Sequence, residues 1–437
     1  MQIEIKKTGI NGEGIGYLNR IPVFIDRALI GETIDAQIIE SYPKYKVGII
    51  KSIIRKSEER INPICPNYDK CDGCSLMHTT YNNQLEIKKS LLKEGLEKYA
   101  GIDIGDIQIE ESKNNLYYRN CLKLPVISVH GKLKTAIYVK NSNNVWAIDK
   151  CLIHSKLLEE LKNQVLVLLN KYSIASYDKK TKNGIRYLVL REIGNRAHMC
   201  LITGDDKIPV KLIEELNNIK EIVSIYQCIN TSKNSVNIFT NRMIHLAGNK
   251  HLSFKIDNLK FNLSVKAFYQ LNSYQAVNMY HYVNSLIEDN QSLIVEAYCG
   301  IGAMSLLATN KAKKIVGIEY VNDAVVNANK NAYINGIVNV NFVCGDSSEV
   351  MRKMFSKTKI DTLIVDPPRS GLDENMINAI LNTDIANIIY VSCNPATLGK
   401  NLNILLKEYK MKSIRAFDMF SQTAHVEAVC LLAREGV

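Results

Sequence analysis

The chain has 437 residues, of which 46% are hydrophobic, so it is long enough for two or three domains with packed cores. No run approaches the ~18 consecutive apolar residues of a membrane-spanning helix, and the first residues lack the basic-then-apolar order of a signal peptide. We therefore expect a cytoplasmic protein that does not enter a membrane. The net charge of +11 is compatible with a polyanionic partner, although lysine abundance throughout the chain gives the same balance without one.

The first 60 residues alternate short β-rich runs with turns. Turns at Asn11-Gly12 and Ile30-Gly31 separate several of these runs, and the spacing predicts a small five-stranded barrel. The glycine-rich stretch 12–16 is interpreted as a turn rather than a phosphate loop, because no helix follows it. The five predicted strands cover residues 2–6, 15–18, 22–25, 33–40 and 46–54.

Three of the eleven cysteines are clustered just after this region, at Cys65, Cys71 and Cys74. Disulfides are not expected in a reducing compartment, whereas clustering is what metal ligation requires. The best candidate for a fourth ligand is Cys151, in Asp149-Lys150-Cys151. Four thiolates can hold zinc or a 4Fe-4S cluster, and the spacing alone leaves both open, with free buried cysteines as the plainer alternative.

The middle of the chain carries less chemical information. Residues 81–99 have helical periodicity, with leucines on one side and lysines and glutamates opposite. Residues 115–265 read as mixed α/β with alternating strand-like runs. The stretch Tyr117-Tyr118-Arg119-Asn120 combines aromatic and basic residues as an RNA contact does, but an ordinary strand edge has the same composition.

From residue 266 onward the sequence changes to regular β/α alternation, which predicts a doubly wound parallel sheet. The domain prediction is therefore a barrel over 1–60, a central α/β domain with the four cysteines over 61–265, and a Rossmann-like domain over 266–437. Five strands are predicted to end near Tyr298, Glu319, Gly345, Asp366 and Ser392, and two closing strands, 413–418 and 425–432, follow them.

The first of these strands leads into a glycine loop, Gly300-x-Gly302, and Glu319 ends the next strand. A carboxylate at that position accepts hydrogen bonds from both ribose hydroxyls of an adenosine. Ser305 occupies the third glycine position of a dinucleotide fingerprint, so an adenosine cofactor without pyrophosphate fits better, namely S-adenosylmethionine. Asp346, at the end of the third strand, is a candidate for the adenine amino group.

A thiol stands at the end of the fifth strand, in Ser392-Cys393-Asn394-Pro395. Because open α/β sheets place their chemistry at the carboxyl ends of the strands, Cys393 is the candidate nucleophile, with a buried structural cysteine as the alternative. Glu427 begins the last predicted strand and is the candidate proton acceptor, with a solvated strand-end glutamate as the alternative.

Several motifs together resemble the RNA (uracil-5-)-methyltransferase family, in that family's order and with matching gaps. The N-terminal pattern from Gly14 to Glu32 resembles a TRAM domain, an RNA-binding barrel. The motifs that carry the family resemblance are Phe268-Tyr269-Gln270-Leu271-Asn272, Tyr298-Cys299-Gly300-x-Gly302, Asp366-Pro367-Pro368-Arg369, Ser392-Cys393-Asn394-Pro395 and Asp418-Met419-Phe420-x-x-Thr423-x-His425-Val426-Glu427.

The resemblance implies a class I methyltransferase fold and a role for each matching residue. Cys393 is implied as the nucleophile, Glu427 as the proton acceptor and Arg119 as a contact to a flipped-out uridine. It also implies a 4Fe-4S cluster on Cys65, Cys71, Cys74 and Cys151. The implied contacts to S-adenosylmethionine are Gln270, Tyr298, Glu319 and Asp366, with Asp346 a weaker candidate.

The branch with a TRAM domain and a cysteine set implies 23S ribosomal RNA as the substrate, without an obligate protein partner. A uridine in the T loop of tRNA is the nearest alternative, and an RNA-binding protein with an inactive methyltransferase domain is another. A zinc or redox function for the cysteines also stays open. The sequence departs from the family pattern at Glu296, Met77 and Ser421, and the last of these lies in the loop before Glu427.

Overall fold

A computed structural model describes residues 1–232 and 237–435 of the chain. The chain forms two compact units, the first made of Met1–Asn115 with Met351–Val437 and the second of Leu116–Val350. The predicted domain boundaries 1–60, 61–265 and 266–437 remain a prediction, and residues 233–236 and 436–437 of those domains lie outside the described residues. No helix within the described ranges is long and apolar enough to cross a membrane.

The first unit begins with a closed five-stranded barrel, as predicted. The strands are ordered β1-β2-β3-β5-β4, and alternate residues of each strand point into a core that includes Ile3, Val23 and Ile34. The strands are β1 (Gln2–Thr8), β2 (Gly14–Leu18), β3 (Ile21–Ile25), β4 (Thr33–Ser41) and β5 (Lys46–Arg55).

The rest of the first unit consists of a long helix, a group of strands that begins parallel and ends antiparallel, and the helices that connect these strands. Within the unit the strand order is β19-β20-β22-β21-β6, with β19 and β20 parallel and β22 antiparallel to β20. The two predicted closing strands are confirmed, and the short strand β6 was not predicted. The elements are α1 (Tyr81–Ala100), β6 (Ile109–Glu110), β19 (Ile360–Val365), α8 (Glu374–Leu381), β20 (Ile385–Ser392), α9 (Pro395–Leu405), β21 (Tyr409–Phe417) and β22 (Glu427–Arg434).

Helix α1 packs closely against helix α9 within this unit. A side chain added at Gly95 of α1 would place its Cβ 2.8 Å from the Cβ of Pro395, and one added at Gly399 would lie 2.6 Å from the carbonyl oxygen of Gly95. These distances are too short for any Cβ, so both glycines are needed for the close approach. The contact fixes the first turn of α9, which directly follows Cys393.

The second unit is built on a seven-stranded sheet with order β13-β12-β11-β10-β7-β8-β9, whose core includes residues from helices α2 and α3. Its elements before residue 250 are β7 (Cys121–Val129), β8 (Lys132–Tyr138), β9 (Val145–Ala147), α2 (Lys156–Lys171), β10 (Ile185–Ile193), β11 (Arg196–Thr203), α3 (Val210–Asn217), β12 (Ile222–Ile229) and β13 (Met243–Gly248).

A hairpin and three parallel strands complete this unit. The strands are ordered β18-β17-β16, and they are parallel, as the β/α alternation predicted. Helix α7 begins in this unit and ends in the first one. These elements are β14 (Leu252–Ile256), β15 (Leu259–Leu263), α4 (Ser273–Ser285), β16 (Gln291–Ala297), α5 (Ala303–Leu307), β17 (Ala312–Glu319), α6 (Asn322–Ile334), β18 (Val340–Cys344) and α7 (Ser347–Phe355).

Candidate active site

Cys393 lies in the turn between strand β20 and helix α9 of the first unit. Ser392 is the last residue of the strand, and Asn394 caps the helix by accepting a hydrogen bond from the Ala396 backbone N–H at 3.1 Å. Pro395 occupies the first helical position, where its missing N–H costs nothing. The turn therefore holds a half-buried thiol at a defined point, as the sequence predicted.

The thiol of Cys393 is protonated at neutral pH in the absence of ligands. Burial raises its pKa to about 12, and the negative charges of Glu427 and Asp366 add to this effect, while Arg369 opposes it. A group that attacks as a thiolate must therefore lose its proton when the substrate is present, to an acceptor or because a positive charge arrives.

Glu427 is the first residue of strand β22 and its side chain is 4% exposed. The alternative of a solvated strand-end glutamate is therefore wrong. Burial and the nearby charge of Asp366 raise the pKa of Glu427 to about 8, and burial raises the pKa of Asp366, just after strand β19, to about 7. A carboxyl group tuned this close to neutrality suits proton transfer.

Arg369 and His425 connect the Asp366 turn, the Cys393 turn and the loop before Glu427. Nη2 of Arg369 lies 3.0 Å from Nδ1 of His425, and the Asn394 side-chain amide donates to the Arg369 carbonyl oxygen at 3.1 Å. Burial, then the charge of Arg369, lowers the pKa of His425 to about 4, so the imidazole is neutral and accepts from the guanidinium. Three sequence-distant segments thus form one site.

A buried ion pair anchors the loop that leads to Glu427. Lys88 of helix α1 pairs with Asp418, and both side chains are 0% exposed. Asp418 also accepts hydrogen bonds from the Tyr81 hydroxyl at 2.7 Å and from the Ser421 hydroxyl at 2.5 Å. Ser421, one of the departures from the family pattern, therefore contributes its hydroxyl to this network.

Gln84, one turn before Lys88 on the same helix, pairs with Gln422. The Gln84 amide donates to Gln422 Oε1 at 3.1 Å, and its oxygen accepts from the Gln422 backbone N–H at 2.9 Å. Gln422 has a φ of 70°, which a non-glycine residue rarely adopts. The side chain of Gln84 thus stabilises a strained turn in the loop before Glu427.

The segment directly after the clustered cysteines also contacts this loop. The backbone N–H of Leu76 donates to the Gln422 carbonyl oxygen at 2.9 Å, and the Ser75 hydroxyl accepts from the Ala424 N–H at 3.1 Å. Leu76 and Ala424 share a small hydrophobic core with residues of α1. Two segments therefore hold the loop, one from α1 and one from the end of the cysteine cluster.

The second unit carries the glycine loop and Glu319. Oε2 of Glu319 accepts from the Gly300 backbone N–H at 3.1 Å, and Oε1 accepts from the Val321 N–H at 2.8 Å. Gly302 has a φ of 78°, and a side chain there would overlap the ring of Phe342. A carboxylate has about four lone-pair positions, so the fixed Glu319 group retains acceptor capacity for a diol.

The other predicted cofactor residues of this unit differ in burial. Tyr298 is half-buried at the end of β16 with a φ of 64°, a strained conformation that often marks functional sites. Gln270 is 6% exposed, whereas Asp346 is exposed. Asp346 directly precedes helix α7, and its Oδ1 accepts from the Ser348 hydroxyl at 2.6 Å.

The structure brings Arg119 next to the segment that contains Gln270. Asn120 donates from its backbone to the Leu271 carbonyl oxygen and from its side chain to the Gln270 carbonyl oxygen, each at 2.8 Å. Nε of the half-buried Arg119 donates to the Cys121 carbonyl oxygen at 3.1 Å. The predicted substrate contact and one predicted cofactor contact therefore occupy neighbouring backbone segments.

The four predicted cluster cysteines are all half-buried. The backbone N–H of Gly73 donates to Cys71 Sγ at 3.3 Å, and Cys151 is hydrogen-bonded to His154. Within residues 1–232 and 237–435, no group of three or more histidine, cysteine, aspartate or glutamate side chains is arranged to hold a metal ion. The geometry therefore does not show the predicted metal site.

The residues that hold the loop before Glu427 were not predicted from the sequence. Lysines of the helix at 81–99 were predicted to face away from the leucines, but Lys88 is fully buried. Its spacing from Leu85 and Leu92, three and four residues away, is the available signal, because those positions share one helix face. A lysine on an apolar face is most simply explained by a buried acidic partner.

Comparison with known proteins defines the class of this protein. A model of the TRAM domain matches residues 1–51, and a model described as tRNA (Uracil-5-)-methyltransferase matches residues 80–435. The chain is 34% identical to an uncharacterized RNA methyltransferase of Listeria innocua over 99% of its own length and 97% of the relative's. A similar relative of Clostridium tetani is 33% identical over 98% of this chain and 95% of that protein.

A solved structure extends the similarity to three dimensions. The crystal structure of Pyrococcus abyssi tRNA (uracil-54, C5)-methyltransferase in complex with S-adenosyl-L-homocysteine matches with a TM-score of 0.80 and 26% identity, covering 99% of this chain and all of that one. The fold is thus an S-adenosylmethionine-dependent methyltransferase with an N-terminal TRAM barrel, as predicted. The chain belongs to the tRNA (uracil-5-)-methyltransferase family and is an S-adenosylmethionine-dependent RNA (uracil-C5-)-methyltransferase.

Proposed function

We propose that this enzyme methylates C5 of a uridine in 23S ribosomal RNA through a covalent adduct of Cys393. C5 of a pyrimidine is a poor nucleophile. Addition of the Cys393 thiolate to C6 moves the electrons of the C5–C6 double bond toward C5 and O4 and makes C5 enolate-like. The observation that carries the proposal is the position of Cys393 near the buried carboxyl group of Glu427, whose charge raises the pKa of the thiol.

Methyl transfer to C5 and elimination of Cys393 complete the reaction. The enolate-like C5 takes the methyl group from the sulfonium of S-adenosylmethionine, and S-adenosylhomocysteine leaves. Glu427 then removes the C5 proton, the electron pair re-forms the C5–C6 double bond, and the Cys393 thiolate is expelled. With a pKa of about 8, Glu427 in its ionised form is a stronger base than an ordinary carboxylate, and this form accepts the C5 proton.

For the cofactor we propose contacts from Gln270, Tyr298, Glu319 and Asp366, with Asp346 near the adenine. Glu319 would accept from the ribose hydroxyls, a role supported by the two backbone hydrogen bonds that fix its carboxylate. Arg119 is proposed to contact the flipped-out target nucleotide.

The assignment to 23S ribosomal RNA rests on the similarity to the family branch with a TRAM domain and four cysteines. A tRNA uridine is the second candidate, because the solved relative with a TM-score of 0.80 is described as acting on uracil 54 of tRNA. The deciding experiment supplies methyl-labelled S-adenosylmethionine with unmodified 23S rRNA or unmodified tRNA transcripts in separate reactions. The labelled nucleoside is then identified by mass spectrometry.

Label as 5-methyluridine in 23S rRNA alone supports the proposal. Label in tRNA alone preserves the chemistry and overturns the substrate. Label in neither RNA, from a protein that still binds both, overturns the reaction and favours an RNA-binding protein with an inactive methyltransferase domain.

We further propose that Cys65, Cys71, Cys74 and Cys151 hold a 4Fe-4S cluster. The support is the resemblance to the cysteine set of the family branch, together with the hydrogen bond from Gly73 to Cys71 Sγ, a type of contact that tunes cluster thiolates. No catalytic step is assigned to the cluster. Iron and sulfide analysis of anaerobically purified protein, with absorbance near ~400 nm, tests it, and zinc in place of iron contradicts it.

A further inference from the structure

The outer surface of the barrel carries an ordered group of aromatic rings at the connection between β4 and β5. The rings of Tyr42 and Tyr45 are stacked with centroids 4.6 Å apart and an interplanar angle of 24°. Phe24 of strand β3 meets Tyr45 edge-on, with centroids 5.7 Å apart and an angle of 89°. We call Phe24, Tyr42 and Tyr45 the aromatic platform.

The platform is exposed although its geometry is fixed. Tyr42 is 44% exposed and Tyr45 is 38% exposed. The backbone N–H of Tyr42 donates to the Tyr45 carbonyl oxygen at 2.9 Å, which closes the turn, and the Tyr42 hydroxyl donates to Glu40 Oε2 at 2.6 Å. Rings that are ordered before binding lose little conformational entropy when a planar ligand stacks on them.

Charge beside the platform indicates which ligand it accepts. Lys44, within the turn, is exposed, and Lys46 follows Tyr45 with its Nζ 3.2 Å from the Ser41 hydroxyl. The acidic neighbour Glu40 is hydrogen-bonded to the Tyr42 hydroxyl, so the two lysines are the positions where a phosphate would be neutralised. Exposed aromatic rings with adjacent lysines are the arrangement that binds single-stranded nucleic acid, by base stacking and by phosphate contacts.

We infer that the aromatic platform binds unpaired bases of the RNA substrate, with Lys44 and Lys46 on the adjoining phosphates. The inference rests on the proposed function because it takes the ligand to be RNA. It adds the part of the RNA that is bound, a single-stranded segment, and the residues that bind it. The connection between strands 4 and 5 is also a loop that related barrels use for oligonucleotides.

The test is the affinity of the full-length protein for a short oligouridylate and for a chain of the same length whose sugars lack bases, measured without S-adenosylmethionine. The Tyr42→Ala/Tyr45→Ala double variant should bind the oligouridylate about tenfold or more weakly, and should bind the abasic chain as wild type does. Tyr42→Phe, which retains the ring and removes the hydrogen bond to Glu40, should bind the oligouridylate like wild type.

Tyr17→Ala is the matched control, because Tyr17 is 48% exposed on strand β2 of the same barrel and lies outside the platform. It should leave both affinities unchanged. Lys44→Gln should instead weaken the binding of both the oligouridylate and the abasic chain. It should also reduce the slope of log affinity against log salt concentration by about 0.7, the value for one phosphate on a single strand.

Equal affinity of the double variant and wild type for the oligouridylate overturns the inference, as does an equal loss on the abasic chain. A double variant that also loses its barrel fold is recognised by circular dichroism, and Tyr42→Ala alone then decides. Because this assay needs no turnover, failure of the proposed function appears separately, as wild-type protein that binds RNA and transfers no methyl group.

Discussion

At the scale of single residues, the site is defined by the buried carboxyl group of Glu427 and the partly buried one of Asp366, which both act on the thiol of Cys393. Burial raises the pKa of Glu427 to about 8 and that of Asp366 to about 7, and both charges help to raise the pKa of Cys393 to about 12. The thiol of Cys393 and the carboxyl group of Glu427 are thus mainly protonated at neutral pH. Such an arrangement protects the thiol from adventitious oxidation, because the thiolate is the reactive form.

Glu427→Gln should make the Cys393 thiol more reactive but should block the elimination step that releases the RNA. Removing a negative charge lowers the pKa of Cys393, so iodoacetamide should modify that thiol several-fold faster than in wild type at pH 9, where Glu427 is ionised. Below about pH 7 the two proteins should react alike, because Glu427 is then neutral. Peptide mass spectrometry of Cys393 gives the rates.

With RNA and S-adenosylmethionine, the same Glu427→Gln variant should accumulate a covalent enzyme–RNA adduct, because elimination lacks its base. Denaturing gel electrophoresis detects the adduct, and Cys393→Ala is the control that forms none. Rapid turnover without adduct in the variant would remove Glu427 from its proposed role.

The buried Glu427 also predicts how stability depends on pH. Its folded-state pKa of about 8 exceeds the ordinary value of 4.5, so the unfolded chain loses the proton first. The contribution of Glu427 to the free energy of unfolding is therefore fully present below pH 4.5. It decreases as the pH rises toward 8, by at most a few kcal/mol. The midpoint difference between Glu427→Gln and wild type in thermal unfolding should widen in favour of the variant from pH 5 to pH 8, and a constant difference contradicts the assigned burial.

At the scale of elements, helix α1 determines where the loop before Glu427 lies. Lys88 and Gln84, one turn apart on this helix, hold Asp418 and Gln422, and the contact between Gly95 and Pro395 positions the helix that follows Cys393. One helix therefore supports both the nucleophile and the proposed base. This explains why a helix outside the β/α-alternating part of the sequence belongs to the active site.

Lys88→Met should lower the free energy of unfolding by about 3 kcal/mol, because it leaves Asp418 buried without its cation. The thermal midpoint should fall by several degrees, and breakdown of the enzyme–RNA adduct should slow as the loop is released. Lys89→Met is the matched control, since Lys89 pairs with exposed Glu86 at 2.8 Å on the surface of the same helix. Its effect should stay below about 1 kcal/mol, and equal effects of the two variants would refute the argument.

At the scale of the whole molecule, the chain combines an N-terminal TRAM barrel with a methyltransferase. Cofactor binding then stabilises the folded protein by mass action. S-adenosylhomocysteine at a hundredfold excess over its dissociation constant contributes about 2.7 kcal/mol.

Glu319→Gln should reduce this stabilisation by S-adenosylhomocysteine at fixed ligand concentration, because a neutral amide accepts the ribose hydroxyls less strongly. Glu288→Gln, which changes an exposed acid of the same unit, should retain the full thermal shift. Differential scanning fluorimetry measures both. Equal shifts in the two variants would show that Glu319 does not bind the cofactor.

The amino-acid sequence by itself determined the elements and the chemistry at strand ends. The barrel strands, the glycine loop before α5, Glu319 and the Cys393 turn could be predicted because alternation, glycine turns and strand-end residues are local properties. The family assignment came from the motifs and their order, and the comparisons confirm it at the level of RNA uracil-C5 methylation.

Tertiary structure alone decided which charges are buried and what they face. Lysines of the helix at 81–99 were predicted on its polar side, and Glu427 was equally compatible with a solvated strand end, yet Lys88 and Glu427 are both buried. The free energy of an ionised group depends on how much water surrounds it and which charges lie nearby, and segments far apart in sequence supply both. For this reason the raised pKa values of Cys393, Glu427 and Asp366 could not be predicted from local sequence.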